Sequence, residues 1–233
     1  MIARRPCGVQ PAAMLAPLRP LALALTLLVP ALPARACQTA LLLAIDVSQS
    51  IDSAEYRYQT EGLADALADT EIAEALIRGR MALAVMQWSG RDAQNLSIPW
   101  TRIHSQADLA AFAARARAMP RAYVMSNTAV GEALSFGLAQ FAAVPDCARK
   151  VIDVSGDGPD NAGSDPRLAR RAAERAGIEI NALAIESLGL SITNYFRRAV
   201  ITRGGFVMTA RGYRSYARTL REKIRREISQ IMF

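Results

Sequence analysis

Short apolar runs alternate with stretches of helical periodicity along most of the chain. The runs predict six strands, and their near-continuous hydrophobic character indicates burial on both faces of a sheet; they span 40–46, 81–88, 96–100, 150–155, 178–185 and 205–209. Between them, apolar residues recur at the spacing of amphipathic helices. This alternation predicts an α/β fold: a doubly wound, mostly parallel six-stranded sheet with helices on both faces.

Local signals predict several helix ends. Ser105 followed by Asp108 resembles a capping box, and Asp165-Pro166 combines an N-cap residue with a proline suited to the first helical turn. Near the end of the chain, an apolar stripe predicts a final amphipathic helix; it comprises Tyr216, Leu220, Ile224, Ile228 and Ile231. We interpret these stripes as core faces without a functional role.

The first 36 residues have the features of a secretory signal. Arginines precede an apolar stretch at 21–29, which is shorter than the roughly 20 residues needed to span a bilayer. Small residues then favour cleavage near Ala36/Cys37. We therefore expect a leader, 1–36, and a single domain, 37–233, that has no transmembrane segment and is periplasmic or secreted from a bacterium.

Cys37 leaves two alternatives open. A cysteine directly after a cleavage site suits a lipid anchor, although Arg35 and Ala34 depart from the residues preferred there. We favour a disulfide, because Cys7 lies in the leader and an even pair, Cys37 and Cys147, then remains in an oxidising compartment.

The formal net charge of +7 overstates that of the mature domain. The leader holds four arginines and no acidic residue, so the remainder carries +3. Much of this charge lies near the C-terminus, at Arg211, Arg214, Arg218, Arg221, Lys223, Arg225 and Arg226. We interpret this segment as a solvated helix face. We expect no nucleic-acid binding, because the chain has an export signal and no recognised nucleic-acid motif.

The segment with the clearest chemistry is Asp46-Val47-Ser48-Gln49-Ser50, directly after the first apolar run. One carboxylate and two hydroxyls at alternate positions of a strand-to-helix turn form a set of hard oxygen ligands. Such ligands suit Mg²⁺ or Mn²⁺ better than zinc or copper. In a doubly wound sheet, ligands bind at the carboxyl ends of the strands, where this turn is predicted to lie.

Two further oxygen-rich turns are predicted at the same edge of the sheet. One contains Ser126 and Thr128 ahead of an apolar helix, and the other contains Asp157 in the sequence Ser-Gly-Asp-Gly after the run at 150–155. We interpret the following Asp160 and Asn161 as part of a solvated turn.

In combination, these turns resemble the von Willebrand factor type A family. That family carries Asp-x-Ser-x-Ser after its first strand, a Thr in a loop ahead of a helix, and an Asp after its fourth strand, which together form a metal-ion-dependent adhesion site. The matching residues are Asp46, Ser48, Ser50, Thr128 and Asp157, with Ser126 as the alternative to Thr128. The resemblance extends over almost all of 38–233, and within the family the chain is most similar to small bacterial exported members of unknown function.

The resemblance implies a bound divalent cation, Mg²⁺ or Mn²⁺, with one position open for an Asp or Glu carboxylate of a protein partner. It also implies that the first and fourth strands are parallel neighbours. Cys37 and Cys147 would then lie level at the opposite edge of the sheet, within reach of a disulfide.

The leading functional hypothesis is therefore an exported, metal-dependent protein-binding module rather than an enzyme. A metal-assisted periplasmic hydrolase is one alternative, but His104 is the only histidine and no nucleophile-elbow or phosphate-loop motif is present. The lone histidine also argues against a zinc site. A structural subunit of an envelope assembly is the other alternative, with the basic C-terminal helix as its docking face.

Overall fold

The computed structural model describes residues 37–186 and 191–229, together with Ile2. The domain residues belong to one compact unit, Arg35–Phe233. Apart from Ile2, the predicted leader lies outside the described residues, as does Ile231 of the predicted C-terminal stripe. The prediction of a signal peptide therefore stays a prediction.

The centre of the domain is a six-stranded sheet with the order β3-β2-β1-β4-β5-β6. Its strands are β1 (Cys37–Asp46), β2 (Ala82–Trp88), β3 (Gln94–Arg102), β4 (Cys147–Gly156), β5 (Glu179–Glu186) and β6 (Val207–Arg211). Only β3 pairs antiparallel, and it lies at one edge. The prediction of a doubly wound, mostly parallel sheet is confirmed, with strand ends shifted by a few residues.

Seven α-helices cover the two faces of the sheet in the described part of the chain. They are α1 (Ser53–Leu67), α2 (Thr70–Arg78), α3 (Gln106–Arg117), α4 (Val130–Gln140), α5 (Pro166–Arg175), α6 (Ile192–Ala199) and α7 (Tyr216–Ser229). One core forms between the sheet and α1, α2, α3 and α7, and a second forms against α4, α5 and α6. The sequence pattern does not predict α6, because this helix is short and its apolar face is sparse, at Ile192, Phe196 and Ala199.

Polar caps fix where the helices begin. Asp52 accepts hydrogen bonds from the amides of Ala54 and Glu55, and the Glu55 carboxylate accepts one from the Asp52 amide, which completes a capping box. The α1 helix therefore starts at Ser53, three residues after Ser50, the last residue of the Asp-x-Ser-x-Ser turn. Ser105 caps α3, and Asp165 with Pro166 starts α5, as predicted.

A disulfide joins β1 and β4 at the amino-terminal end of the pair. Cys37 and Cys147 are register partners, their Cα atoms are 4.5 Å apart, and both residues are buried. The same register continues to Ile45 and Ser155 at the other end of the strands. The same pair of parallel strands, β1 and β4, therefore carries the disulfide at one end and the Asp46 and Asp157 turns at the other.

The interpretation of the basic C-terminal segment as a solvated face is wrong at Lys223. Its ammonium group is fully buried, 2.6 Å from Asp153 of β4 and 2.6 Å from Glu227 of α7. Burial alone would lower the pKa of Lys223, but the two carboxylates outweigh that effect and raise it. Burial, together with the charge of Asp153, raises the pKa of Glu227 to about 7 against the opposing effect of Lys223. The triad thereby fastens α7 to the centre of the sheet.

No helix within the described residues has the length and apolarity to cross a bilayer.

Removing the disulfide should reduce stability. The double variant Cys37→Ala/Cys147→Ala should lose up to about 4 kcal/mol of unfolding free energy in urea titrations, because the bond closes a long loop in the unfolded chain. Reduced wild-type protein should unfold like the variant. Two free thiols in the intact mass of non-reduced protein would contradict this prediction.

Removing the buried ammonium should be more damaging than removing an exposed cation of the same helix. Lys223→Met should cost about 3–5 kcal/mol near neutral pH, because Asp153 and Glu227 lose their counter-charge. Arg225→Met, which breaks a partly exposed pair with Asp69, should cost about 1 kcal/mol or less. Equal losses in urea titrations would show that the triad does not anchor α7.

Candidate metal centre

The Asp46 turn is built where β1 ends and the chain leaves the sheet. Oδ1 of Asp46 accepts a hydrogen bond of 2.8 Å from the Ser48 amide, which closes the turn around the carboxylate. Gln59 of α1 donates to the Asp46 carbonyl over 3.0 Å. Asp46 and Ser48 are fully buried, so the turn is held from inside the domain.

A chain of hydrogen bonds links this turn to the end of β4. The hydroxyls of Ser48 and Ser50 are 3.2 Å apart, and Ser50 donates to Oδ1 of Asp157 over 2.7 Å. The Tyr213 hydroxyl donates to Oδ2 of Asp157 over 3.2 Å. The structure therefore brings together four of the five residues proposed from sequence: Asp46, Ser48, Ser50 and Asp157.

The loop at 118–129 presents Ser126 and Thr128 differently. Ser126 Oγ accepts a hydrogen bond from the Gly90 amide, which engages this hydroxyl with the turn after β2. Thr128 is buried, and its Oγ1 lies 3.9 Å from the position that a Cβ would occupy on Gly158, next to Asp157. Thr128 thus lies next to the Asp157 turn, whereas the Ser126 hydroxyl is engaged by Gly90.

Asp160 and Asn161 lie in a turn that is partly exposed at Asp160 and exposed at Asn161, and their side chains also hold the site together. Oδ1 of Asp160 accepts from the Val130 amide at the start of α4 over 2.7 Å. Oδ1 of Asn161 accepts from the Thr128 amide over 2.9 Å. These bonds clamp the Thr128 loop to the turn that carries Asp157.

Comparison with protein families identifies the group to which the chain belongs. A family model described as "Protein of unknown function (DUF1194)" matches residues 36–232. The chain belongs to this family. Comparison with curated protein sequences finds no match.

Solved structures show the fold of this DUF1194 chain to be that of a von Willebrand factor type A domain. The neighbours include proximal thread matrix protein 1 of the mussel byssus with a zinc-occupied MIDAS motif (16% identity, TM-score 0.61, 83% of this chain and 46% of that chain covered). They also include a von Willebrand factor type A protein of Catenulispora acidiphila (19% identity, TM-score 0.60, 82% of this chain and 43% of that chain covered). A third neighbour is the SpRpn10 VWA domain (12% identity, TM-score 0.56, 78% of this chain and 94% of that chain covered). The DUF1194 chain spans less than half of the first two proteins.

The charges of the site are mutually unfavourable without a cation. Burial, followed by the nearby charge of Asp157, raises the pKa of Asp46 from 3.8 to about 7. Burial also raises the pKa of Glu55 at the start of α1, and the charges of Asp52 and Asp157 add to this effect. Burial raises the pKa of Tyr213 above its usual range, again with a contribution from Asp157. A positive charge placed between Asp46 and Asp157 would offset the repulsion between these two carboxylates.

The donor set fits a hard divalent cation. Oδ2 of Asp46 is buried and has no hydrogen-bond partner among the described residues, so this oxygen has a free ligand position. Gly156 keeps space beside it, because a Cβ there would stand 3.0 Å from that oxygen. No cluster of three or more His, Cys, Asp or Glu side chains suited to a metal occurs in the described chain. The side-chain oxygens that meet here belong to carboxylates and hydroxyls, which are hard donors.

Three residues that support the site have no clear signal in the sequence. Tyr213 lies in a short 3-10 turn before α7 and contacts Asp157. Arg121 donates to the carbonyls of Val47 and Ser48 over 3.0 and 2.9 Å, and Gln59 supports Asp46 from α1. Each contact joins segments far apart in the chain, which periodicity cannot reveal.

The raised pKa of Asp46 predicts a pH-dependent stability of the metal-free protein. The unfolded chain ionises Asp46 near the usual pKa of 3.8, while the folded chain holds the proton to about pH 7. The folded state thus binds more protons between these values, and this group's contribution to stability is lost as pH rises from about 4 to about 7. Asp46→Asn should remove the effect, which is on the order of a few kcal/mol.

Urea unfolding with a chelator present, at several pH values between about 4 and 8, measures this effect. The stability of the variant minus that of the wild type should increase with pH. Titration of Glu227 affects both proteins equally and cancels in the difference. Parallel stability curves would contradict the prediction.

Proposed function

We propose that the protein is an exported, metal-dependent protein-binding module. Its cation, Mg²⁺ or Mn²⁺, is held by Asp46, Ser48, Ser50, Thr128 and Asp157. A position left open on the cation takes an Asp or Glu carboxylate from a protein partner.

The observation that carries the proposal is the buried, unpartnered Oδ2 of Asp46 beside a second carboxylate. A fully buried carboxylate oxygen without a donor is unfavourable unless a proton or a cation compensates it. The neighbouring donors are hydroxyl and carboxylate oxygens, which favour Mg²⁺ and Mn²⁺ over softer metals. Two carboxylates balance a divalent charge, so waters or a partner's oxygens complete the coordination without another charge from this chain.

Export is supported by the covalent pair at the other end of β1 and β4. Disulfides persist in oxidising compartments such as the periplasm, and the apolar stretch at 21–29 has the length of a signal segment rather than of a membrane span. Cleavage near Ala36 would free Cys37 to form the start of β1. Because the sulfur of Cys37 is bonded to Cys147 in the structure, a lipid anchor on that atom is disfavoured.

A binding role is favoured over hydrolysis by the environment of the site. Glu55 and Tyr213 beside the candidate ligands both have raised pKa values, and the Tyr213 hydroxyl donates a hydrogen bond to Asp157. A metal-assisted hydrolase would also need a general base that is free to activate water, whereas Asp46 and Asp157 are proposed ligands and Glu55 accepts the Asp52 amide in the capping box.

Titration with Mn²⁺ tests the ligand set. Asp46→Asn and Thr128→Val should each weaken Mn²⁺ binding by at least about tenfold, because loss of a ligand should exceed the usual effect of losing a supporting contact. Ser126→Ala is the matched control and should bind as tightly as the wild type. Calorimetry or the paramagnetic relaxation of water provides the measurement, with Mg²⁺ and Zn²⁺ as competitors.

The outcomes separate the alternatives. Equal affinity in wild type and Asp46→Asn would remove the proposed site. Loss of affinity in Ser126→Ala but not in Thr128→Val would transfer the hydroxyl ligand to Ser126. Displacement of Mn²⁺ by Zn²⁺ but not by Mg²⁺ would contradict the proposed choice of cation.

A further inference from the structure

Two neighbouring side chains stand out on the surface of the domain. Val124 and Met125 are 66% and 83% exposed, more than any other large hydrophobic residue in 37–186 and 191–229. Soluble domains expose single apolar residues routinely, but an adjacent pair at one loop tip forms a continuous apolar surface. Whether this apolar surface can contact a partner depends on its position relative to the candidate metal centre.

The pair lies on the loop that is fastened to the candidate metal centre. Directly after Met125, the Ser126 carbonyl accepts a hydrogen bond of 2.9 Å from Gln49, the residue between the two serines of the Asp46 turn. At the start of the loop, Arg121 donates to the Val47 and Ser48 carbonyls. At its end lies Thr128. The apolar pair is therefore held beside the candidate ligands at both ends of its loop.

The backbone at Met125 is held in an unfavourable conformation. Its φ of 56° lies in the left-handed region, which residues with a Cβ rarely adopt and which favours glycine, asparagine or aspartate. The anchors at Ser126 impose this geometry, since the side chain is bonded to Gly90 and the carbonyl to Gln49. A glycine would fit this backbone with less strain, yet the position carries a long apolar side chain that projects into solvent. Such an outlier beside a candidate site is a reason to ask what the side chain contacts.

The chemistry of the pair fits a contact with a protein segment. Methionine is flexible and polarisable, so it adapts to apolar partners of different shape. A carboxylate that reaches the cation must bring its neighbouring residues close to the loop that supplies Thr128. An apolar neighbour of that carboxylate would cover Val124 and Met125, whereas a charged neighbour would remain unpaired against them.

We propose that the partner segment carries an aliphatic or aromatic side chain within one or two positions of its metal-binding Asp or Glu, and that Val124 and Met125 receive it. This inference rests on the proposed function and specifies the partner that the cation site selects. In this proposal the cation requires that the partner carry an acidic side chain. Val124 and Met125 then favour those acidic segments that have an apolar residue beside the acid.

A selection from a display library of random short peptides tests both the requirement for an acid and the requirement for a neighbouring apolar residue. The complete mature domain is panned once with Mg²⁺ and once with chelator, and peptides enriched only with Mg²⁺ are sequenced. Enriched peptides should contain an Asp or Glu with an aliphatic or aromatic residue one or two positions away. A synthetic consensus peptide should bind the double variant Val124→Ser/Met125→Gln about tenfold more weakly than the wild type, because apolar burial is lost.

Matched variants keep the result specific. Met125→Leu preserves the apolar surface and should retain most of the affinity, and Leu168→Gln, which removes an exposed apolar side chain on α5, should change nothing. Mn²⁺ affinity should be the same in all variants, because none of these residues is a proposed ligand.

Three results would overturn the inference in distinguishable ways. Enrichment of acidic peptides without a neighbouring apolar residue would reject the apolar contact and leave the metal-dependent function in place. A consensus of the expected kind whose affinity is unaffected by Val124→Ser/Met125→Gln would reject the role of this pair. The absence of any Mg²⁺-dependent peptide would reject both the inference and the proposed function.

Discussion

The site depends on the burial of one carboxylate within the electrostatic reach of another. Asp46 has no exposed surface, and Asp157 stands at the end of the neighbouring parallel strand, so their charges repel each other in a medium that screens poorly. Protein groups stabilise one oxygen of Asp46 but leave the other without a donor. The fold therefore preserves an unfavourable arrangement that a proton or a cation corrects, and the surrounding contacts maintain it.

Several independent hydrogen bonds and a disulfide hold the two carboxylates in this unfavourable arrangement. Gln59 and Arg121 hold the backbone of the Asp46 turn, while Asp160 and Asn161 fasten the Thr128 loop to the Asp157 turn. At the far end of the same strand pair, the disulfide joins the register partners Cys37 and Cys147. Since a register slip by one residue would turn the side chains to the other face, a fixed end also fixes which side chains meet at the opposite end.

The sequence predicts those elements of the structure that depend on residues close together in the chain. Apolar runs located all six strands, and the caps at Asp165 and Ser105 located two helix starts, because these signals come from residues close together in the chain. The Asp-x-Ser-x-Ser turn was visible for the same reason. In contrast, the basic pattern around Lys223 predicts a solvated face, although Asp153, 70 positions earlier, pairs with Lys223 in the core. Tyr213 and Arg121 were missed likewise, since their roles arise only when distant segments meet.

A bound cation of the proposed kind would attract acidic side chains in general, and many proteins expose Asp and Glu. Selectivity must therefore come from surface near the cation whose contacts depend on the neighbours of the acid. The loop that carries Thr128 is the part of the domain where both requirements meet, because its hydrogen bonds to Gln49 and Gly90 fix it beside the ligands while Val124 and Met125 remain exposed. A rigid loop loses little conformational freedom on binding, so even a small apolar contact can discriminate between partners.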